Sequence, residues 1–285
     1  MQSFSLPYRQ QSAGPVRTDA DPIAMIKLRP TTVLMYHAVH AGDESLFAAD
    51  SRYAVSQRQF LDQLQTIRDG GLRPSSVLSI LVHPDTLAVA ITFDDGHASN
   101  AWAAQALLDA GGTADFFVNT TTIGTPGHLS WQALREMADA GMSIQSHGHT
   151  HRYLDELTPT EVNQEMHASK AILEDKLGRP VELFAPPGGR MPPDLHQTAS
   201  SMDYKALCSS RVDLWHEGSH LDIPRLAVLR STPLPQFAKW LEHDRMELLR
   251  QRLRYGSLAS SKRVLGNANY ERVRRALLHF TSGGD

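Results

Sequence analysis

Between residues 31 and about 230, short apolar runs rich in β-branched and aromatic residues alternate with longer segments that carry helix-capping signals and one-sided apolar spacing. Strands separated by helix-sized crossovers pair in parallel, so the alternation predicts a mostly parallel sheet or barrel with helices outside it. Residues 31–36 read as the first strand, which delivers His37 to its end, and residues 89–93 read as another that stops at Asp94-Asp95. Between them Ser56-Gln57-Arg58-Gln59 has the form of a capping box. It opens a helix with Phe60, Leu64 and Ile67 on one face, closed by Gly70-Gly71.

The pattern continues downstream. A helix over 101–110 stops at Gly111-Gly112, and 114–118 forms the next strand. Ser130 caps a helix bearing Leu134, Met137 and Ala138, and Gly141 ends it before the strand that runs into His147. Thr158-Pro159-Thr160-Glu161 joins a capping box to a proline at the first helical position, with Val162, Met166, Leu173 and Leu177 facing inward and Gly178 at the end. Residues 181–185 lead to Pro186-Pro187-Gly188-Gly189, and 206–209 and 225–228 read as further short strands.

Three regions follow from this. Residues 1–30, broken by Pro7, Pro15, Pro22 and Pro30, read as an irregular arm, and 31–235 form the main α/β domain. From 236 to 285 the spacing of Phe237, Trp240, Leu241, Leu248, Leu249, Val273 and Leu277 is helical. This extension is expected to pack against the outside of the barrel rather than to bind a partner.

Composition narrows the function. At 285 residues and 41% hydrophobic, the chain can bury one large core. A net charge of -3 with scattered Lys and Arg offers no basic field for nucleic acid, so a neutral or weakly charged substrate fits better. Cys208 is the only cysteine, which excludes an internal disulfide and a cysteine-rich metal cluster and suits a small buried core residue. The first thirty residues include Arg9, Arg17, Asp19 and Asp21 and no apolar stretch of signal-peptide or membrane-span length. The expectation is a cytoplasmic chain with no membrane span; oligomeric state is left open.

The chemistry is concentrated at two strand ends. Asp94-Asp95 is followed about fifty residues later by His147-Gly148-His149-Thr150-His151. Asp-Asp-Gly alone is an ordinary turn, and with 14 histidines in the chain any single one says little. Placement decides, because an α/β fold gathers strand ends around one crevice. One carboxylate and two neutral imidazoles make a three-ligand set for a divalent metal such as zinc, leaving a position for water and a second carboxylate free to act as base.

Thr92-Phe93-Asp94-Asp95-Gly96, His147 with His151, Pro186-Pro187-Gly188 and Met35-Tyr36-His37 together resemble the polysaccharide deacetylase family, also called the NodB-homology or carbohydrate esterase family 4 domain, over roughly residues 31–230. The resemblance implies a distorted (β/α) barrel and metal-dependent removal of an acyl group from an N-acetylated sugar or polysaccharide. It places Asp95, His147 and His151 on the cation, zinc first, with Co2+, Ni2+ or Mn2+ as alternatives, and makes Asp94 the catalytic base. The Pro187-Gly188-Gly189 segment would hold the tetrahedral oxygen through the glycine N–H groups, since proline has none.

Four positions depart from the family pattern. Ala185 stands where many members have the arginine that orients the base, Gly188 where an aromatic is common, and Gly148 where Ser or Thr is usual. A late Leu-x-x-His that would protonate the leaving amine is replaced near Arg230. The acid is then sought among His37, His216 and His220, with His37 preferred for its strand-end position, or the proton returns from Asp94; His149 and His128 are expected to face solvent. Two other readings use the same residues: hydrolysis of an O-acetyl ester, and sugar binding without catalysis.

Overall fold

The computed structural model describes residues 30–41, 51–216 and 221–265. The expected arm, apart from residue 30, lies outside these residues, as do His220, Val273 and Leu277. In chain order the elements are β1 (Val33–Tyr36), β2 (Ala38–His40), β3 (Ala54–Ser56), α1 (Gln57–Asp69), β4 (Arg73–Ser75), α2 (Val77–Val82), β5 (Ala88–Phe93), α3 (Asn100–Asp109) and β6 (Asp115–Val118). They continue with α4 (Trp131–Asp139), β7 (Ser143–Ser146), α5 (Pro159–Leu177), β8 (Leu183–Phe184), α6 (Leu195–Ser201), β9 (Ala206–Leu207), β10 (Leu226–Ala227), α7 (Leu234–Leu241) and α8 (Arg245–Leu265).

The capping signals act much as the sequence implies. Ser56, Ser130 and Thr158 each accept a hydrogen bond from the third residue of their helix, and Gly178 ends α5 in the left-handed region. At α5 the box is reciprocal. At α1 it is half made, because the Gln59 side chain instead donates to the carbonyls of Leu229 (3.0 Å) and Thr232 (3.3 Å), tying the helix to the end of the domain.

Eight strands form one sheet in the order β10-β1-β5-β6-β7-β8-β9, with β4 beside the first half of β5, and every pairing is parallel. Its two ends meet. A parallel bridge joins Cys208 to Ile223, with Ser209 N–H donating to the Ile223 carbonyl (2.9 Å) and Ile223 N–H to that of Leu207 (2.8 Å). The sheet therefore curls into the expected distorted (β/α) barrel with helices around it.

Strand periodicity divides the core in two. Along β5, Val89, Ile91 and Phe93 join the cluster under the helices, whereas Ala88 and Ala90 line the barrel interior with Val33, Phe117, Leu183, Ala185, Ala206 and Cys208. The inward set is mostly small. In the same phase, His37 follows Val33 and Met35, Asp94 follows Ala90 and Thr92, and His147 follows Gln145. The residues singled out for chemistry thus continue the inner face of their strands.

In the C-terminal part that is described, Leu249 of the predicted stripe is largely exposed, while other members are covered. Phe237, Trp240 and Leu241 of α7 and Leu248 of α8 are buried, and the Thr32 hydroxyl donates to the Trp240 carbonyl at 3.0 Å. Among the described residues, no helix is long and apolar enough to cross a membrane.

Candidate active site

Asp94 and Asp95 leave the end of β5 in different directions. Asp94 continues the inner face and is buried; Asp95 enters the left-handed region at φ 71° and turns its carboxylate toward the loop after β7. There Asp95 Oδ1 lies 3.2 Å from His147 Nε2 and 3.1 Å from His151 Nε2. His151 also has positive φ, 61°. Two non-glycine residues held in a sparsely populated conformation at one spot are the kind of strain that a site-forming loop stores.

The loop that carries the imidazoles is held from behind. The Glu165 carboxylate, from α5, accepts N–H bonds from His149 (2.9 Å) and Thr150 (2.8 Å) and the Thr150 hydroxyl (2.5 Å). His147 Nδ1 donates to the Ala185 carbonyl at 2.7 Å, which fixes the tautomer and aims Nε2 at Asp95. Gly148 N–H is taken by the Ser146 hydroxyl at 3.2 Å.

The ligand atoms of Asp95, His147 and His151 lie within 4.8 Å of one another, the one such group among the described residues. One carboxylate oxygen and two oriented imidazole nitrogens, with a half-exposed side, suit a divalent cation with room for a further ligand. Burial pushes the Asp95 carboxyl up, but the hydrogen bonds from His147 and His151 outweigh it and hold the pKa well below the usual range. His147 goes the other way. Burial lowers it, and the two aspartates raise it further.

The arginine missing at position 185 is supplied by Arg225, which the sequence reading did not assign. Its guanidinium donates Nη1 to Asp94 Oδ1 (2.7 Å), Nη2 to Asp94 Oδ2 (2.8 Å), Nη1 to the Thr92 hydroxyl (3.2 Å) and Nε to the Ser209 carbonyl (3.0 Å). Leu226 pairs with Leu34, so Arg225 sits low in the barrel and its side chain rises through the space left by the small inward residues, 5.4 Å over the Phe117 ring. The side chain is fully buried. Burial raises the Asp94 carboxyl, yet the Arg225 charge, followed by His147, overrides it and keeps Asp94 below the ordinary carboxylate range.

His37 ends β1 beside this centre. Its ring lies 4.6 Å from that of Tyr53, and its buried Nδ1 meets no hydrogen-bond partner among the described residues. Burial lowers its pKa against the pull of Asp95 and Asp94. His149 Nδ1 pairs with the Thr120 hydroxyl (2.7 Å) and His128 Nδ1 with that of Thr125 (3.1 Å), so neither joins the ligand cluster; His216 and Arg230 are exposed. Pro187, Gly188 and Gly189 form a tight turn after β8 in which Gly189 N–H donates to the Pro186 carbonyl at 2.9 Å. At Gly189, φ is 67° and a Cβ would run into the Ser210 side chain, so only glycine fits.

The site is thus a carboxylate–diimidazole cluster beside a clamped aspartate at one rim of a parallel barrel. Residues 82–207 match the sequence model of the polysaccharide deacetylase family. It is 29% identical over 180 residues to the polysaccharide deacetylase homologue YxkH of Bacillus subtilis (strain 168), a match spanning 61% of this chain and 62% of that protein. Among solved structures it is similar to the Streptococcus pyogenes deacetylase PplD in complex with acetate, at 25% identity and TM-score 0.67 over 75% of this chain and 97% of that one. A Bacillus cereus polysaccharide deacetylase gives 25% identity and TM-score 0.66 over 75% and 69%.

Proposed function

We propose that this chain is a metal-dependent hydrolase that removes the acetyl group from an N-acetylated sugar or sugar polymer. The observation that carries the reading is the cluster of Asp95, His147 and His151 beside an aspartate whose two oxygens are held by one buried arginine. Those three residues would hold the cation, most simply zinc. When bound, such an ion supplies Lewis acidity and lowers the pKa of an attacking water.

The chain's own groups do the rest. Asp94, kept ionised and pointed by Arg225, accepts the proton of the attacking water at a carboxylate oxygen. Gly189 N–H is already engaged, so Gly188 N–H is the donor assigned to the developing tetrahedral oxygen, from the segment Pro187-Gly188-Gly189. His37, half-buried at the same rim, delivers the proton that the leaving amine needs.

The test is turnover of N-acetylglucosamine oligomers by protein stripped of metal and reloaded. Asp94→Asn is expected to lower turnover by about two to four orders of magnitude while elemental analysis finds the same metal content. Equal turnover in variant and wild type rejects Asp94 as base, and no bound ion under any loading condition rejects the metal centre.

A further inference from the structure

We infer that Tyr153 is the residue on which the substrate's sugar ring stacks, and so a determinant of specificity; this rests on the reading of the chain as a carbohydrate deacetylase. Tyr153 lies two residues beyond His151, and the following Leu154 is fully buried and pins the segment. Its ring reaches across to the turn after β8. A Cβ placed on Gly188 would come 2.7 Å from Tyr153 Cε1 and 3.1 Å from Cδ1, so the ring occupies the space that a side chain at 188 would need. The glycine makes room for the tyrosine.

The ring is also braced. Arg190 lays its guanidinium over it, 4.1 Å from the centroid, and is itself held by Asp155 at 3.1 Å and near Glu156 at 3.7 Å. An aromatic carrying such a support, still 38% exposed, has lost its freedom without being covered. It stands two residues beyond His151 and against the turn that carries Gly188, on the side where the proposed site opens. The apolar C–H face of a pyranose carries slight positive charge and meets the negative face of the tyrosine ring with little entropic cost on the protein side.

The probe is the N-acetylglucosamine tetramer, with binding read by titration calorimetry on the metal-loaded protein and KM read in the deacetylation assay. Tyr153→Ala is expected to weaken binding about five- to tenfold and to raise KM by a similar factor, and Tyr153→Phe to restore both. Circular dichroism melts of the two variants confirm that they are folded. If Tyr153→Ala binds the tetramer as wild type does, or if the wild type does not bind it at all, the inference fails. A wild type that binds the tetramer, loses it with Tyr153→Ala, yet deacetylates nothing overturns the catalytic reading and leaves the stacking residue in place.

Discussion

Asp94 is useful only as a carboxylate that stays ionised out of water, and its partner decides whether it can. A buried charge without a partner is costly, and removing one member of such a pair typically costs about 3–5 kcal/mol. Arg225→Ala is therefore expected to lower stability by about that amount in denaturant melts and to slow turnover as well. Arg225→Lys keeps the charge but loses the planar fork, so stability should recover more than turnover does. Melting behaviour equal to wild type in Arg225→Ala would show that the clamp holds nothing. The cluster of Asp95, His147 and His151 was legible in the sequence because its members follow strand-like runs. Arg225 was not, since its partner is 131 positions away and only barrel closure brings the two together. The one trace was a charged residue heading the apolar run 225–228. Glu165 left a similar trace, an acid on the inward face of a capped helix.

At the scale of elements, the helices with caps and glycine stops were read nearly to their ends, while β2, β3, β4, α2 and α6 were not anticipated. Strands of three residues show no period to read, Pro74 interrupts one of them, and a six-residue helix is too short for an amphipathic stripe. What holds α2 comes from elsewhere. Asp115 on β6 accepts the N–H groups of Val77 (2.5 Å) and Leu78 (3.4 Å) at the helix start. Burial raises this carboxyl from 3.8 to about 7 despite its hydrogen bonds. The folded protein thus binds the proton more tightly than the unfolded chain. Its contribution is complete below 3.8 and is lost as pH rises to about 7. Asp115→Asn removes that loss, so its stability relative to wild type should climb with pH across the window in urea titrations. A difference that stays flat would mean the carboxyl is not perturbed in this way.

At the scale of the whole molecule, the family match spans 82–207 and contains Asp95, His147, His151, Asp94 and the Pro187-Gly188-Gly189 turn, whereas His37 and Arg225 lie on either side of it. The helical end is likewise part of the structure that supports the barrel. Trp240 is buried at its base, and Trp240→Ala is expected to cost about 3–5 kcal/mol of unfolding free energy. A loss below about 1 kcal/mol would show that α7 is only loosely attached.

The closing bridge between Cys208 and Ile223, with Arg225 two positions beyond it, also orders events in time. Translation delivers His151 roughly seventy residues before Arg225, an interval of several seconds at about 5–20 residues per second. During it a chain on the ribosome holds Asp95, His147 and His151 while Asp94 lacks its Arg225 partner. On the function proposed above, a nascent or prematurely stopped polypeptide lacks the clamp that orients its base until residue 225 has been added.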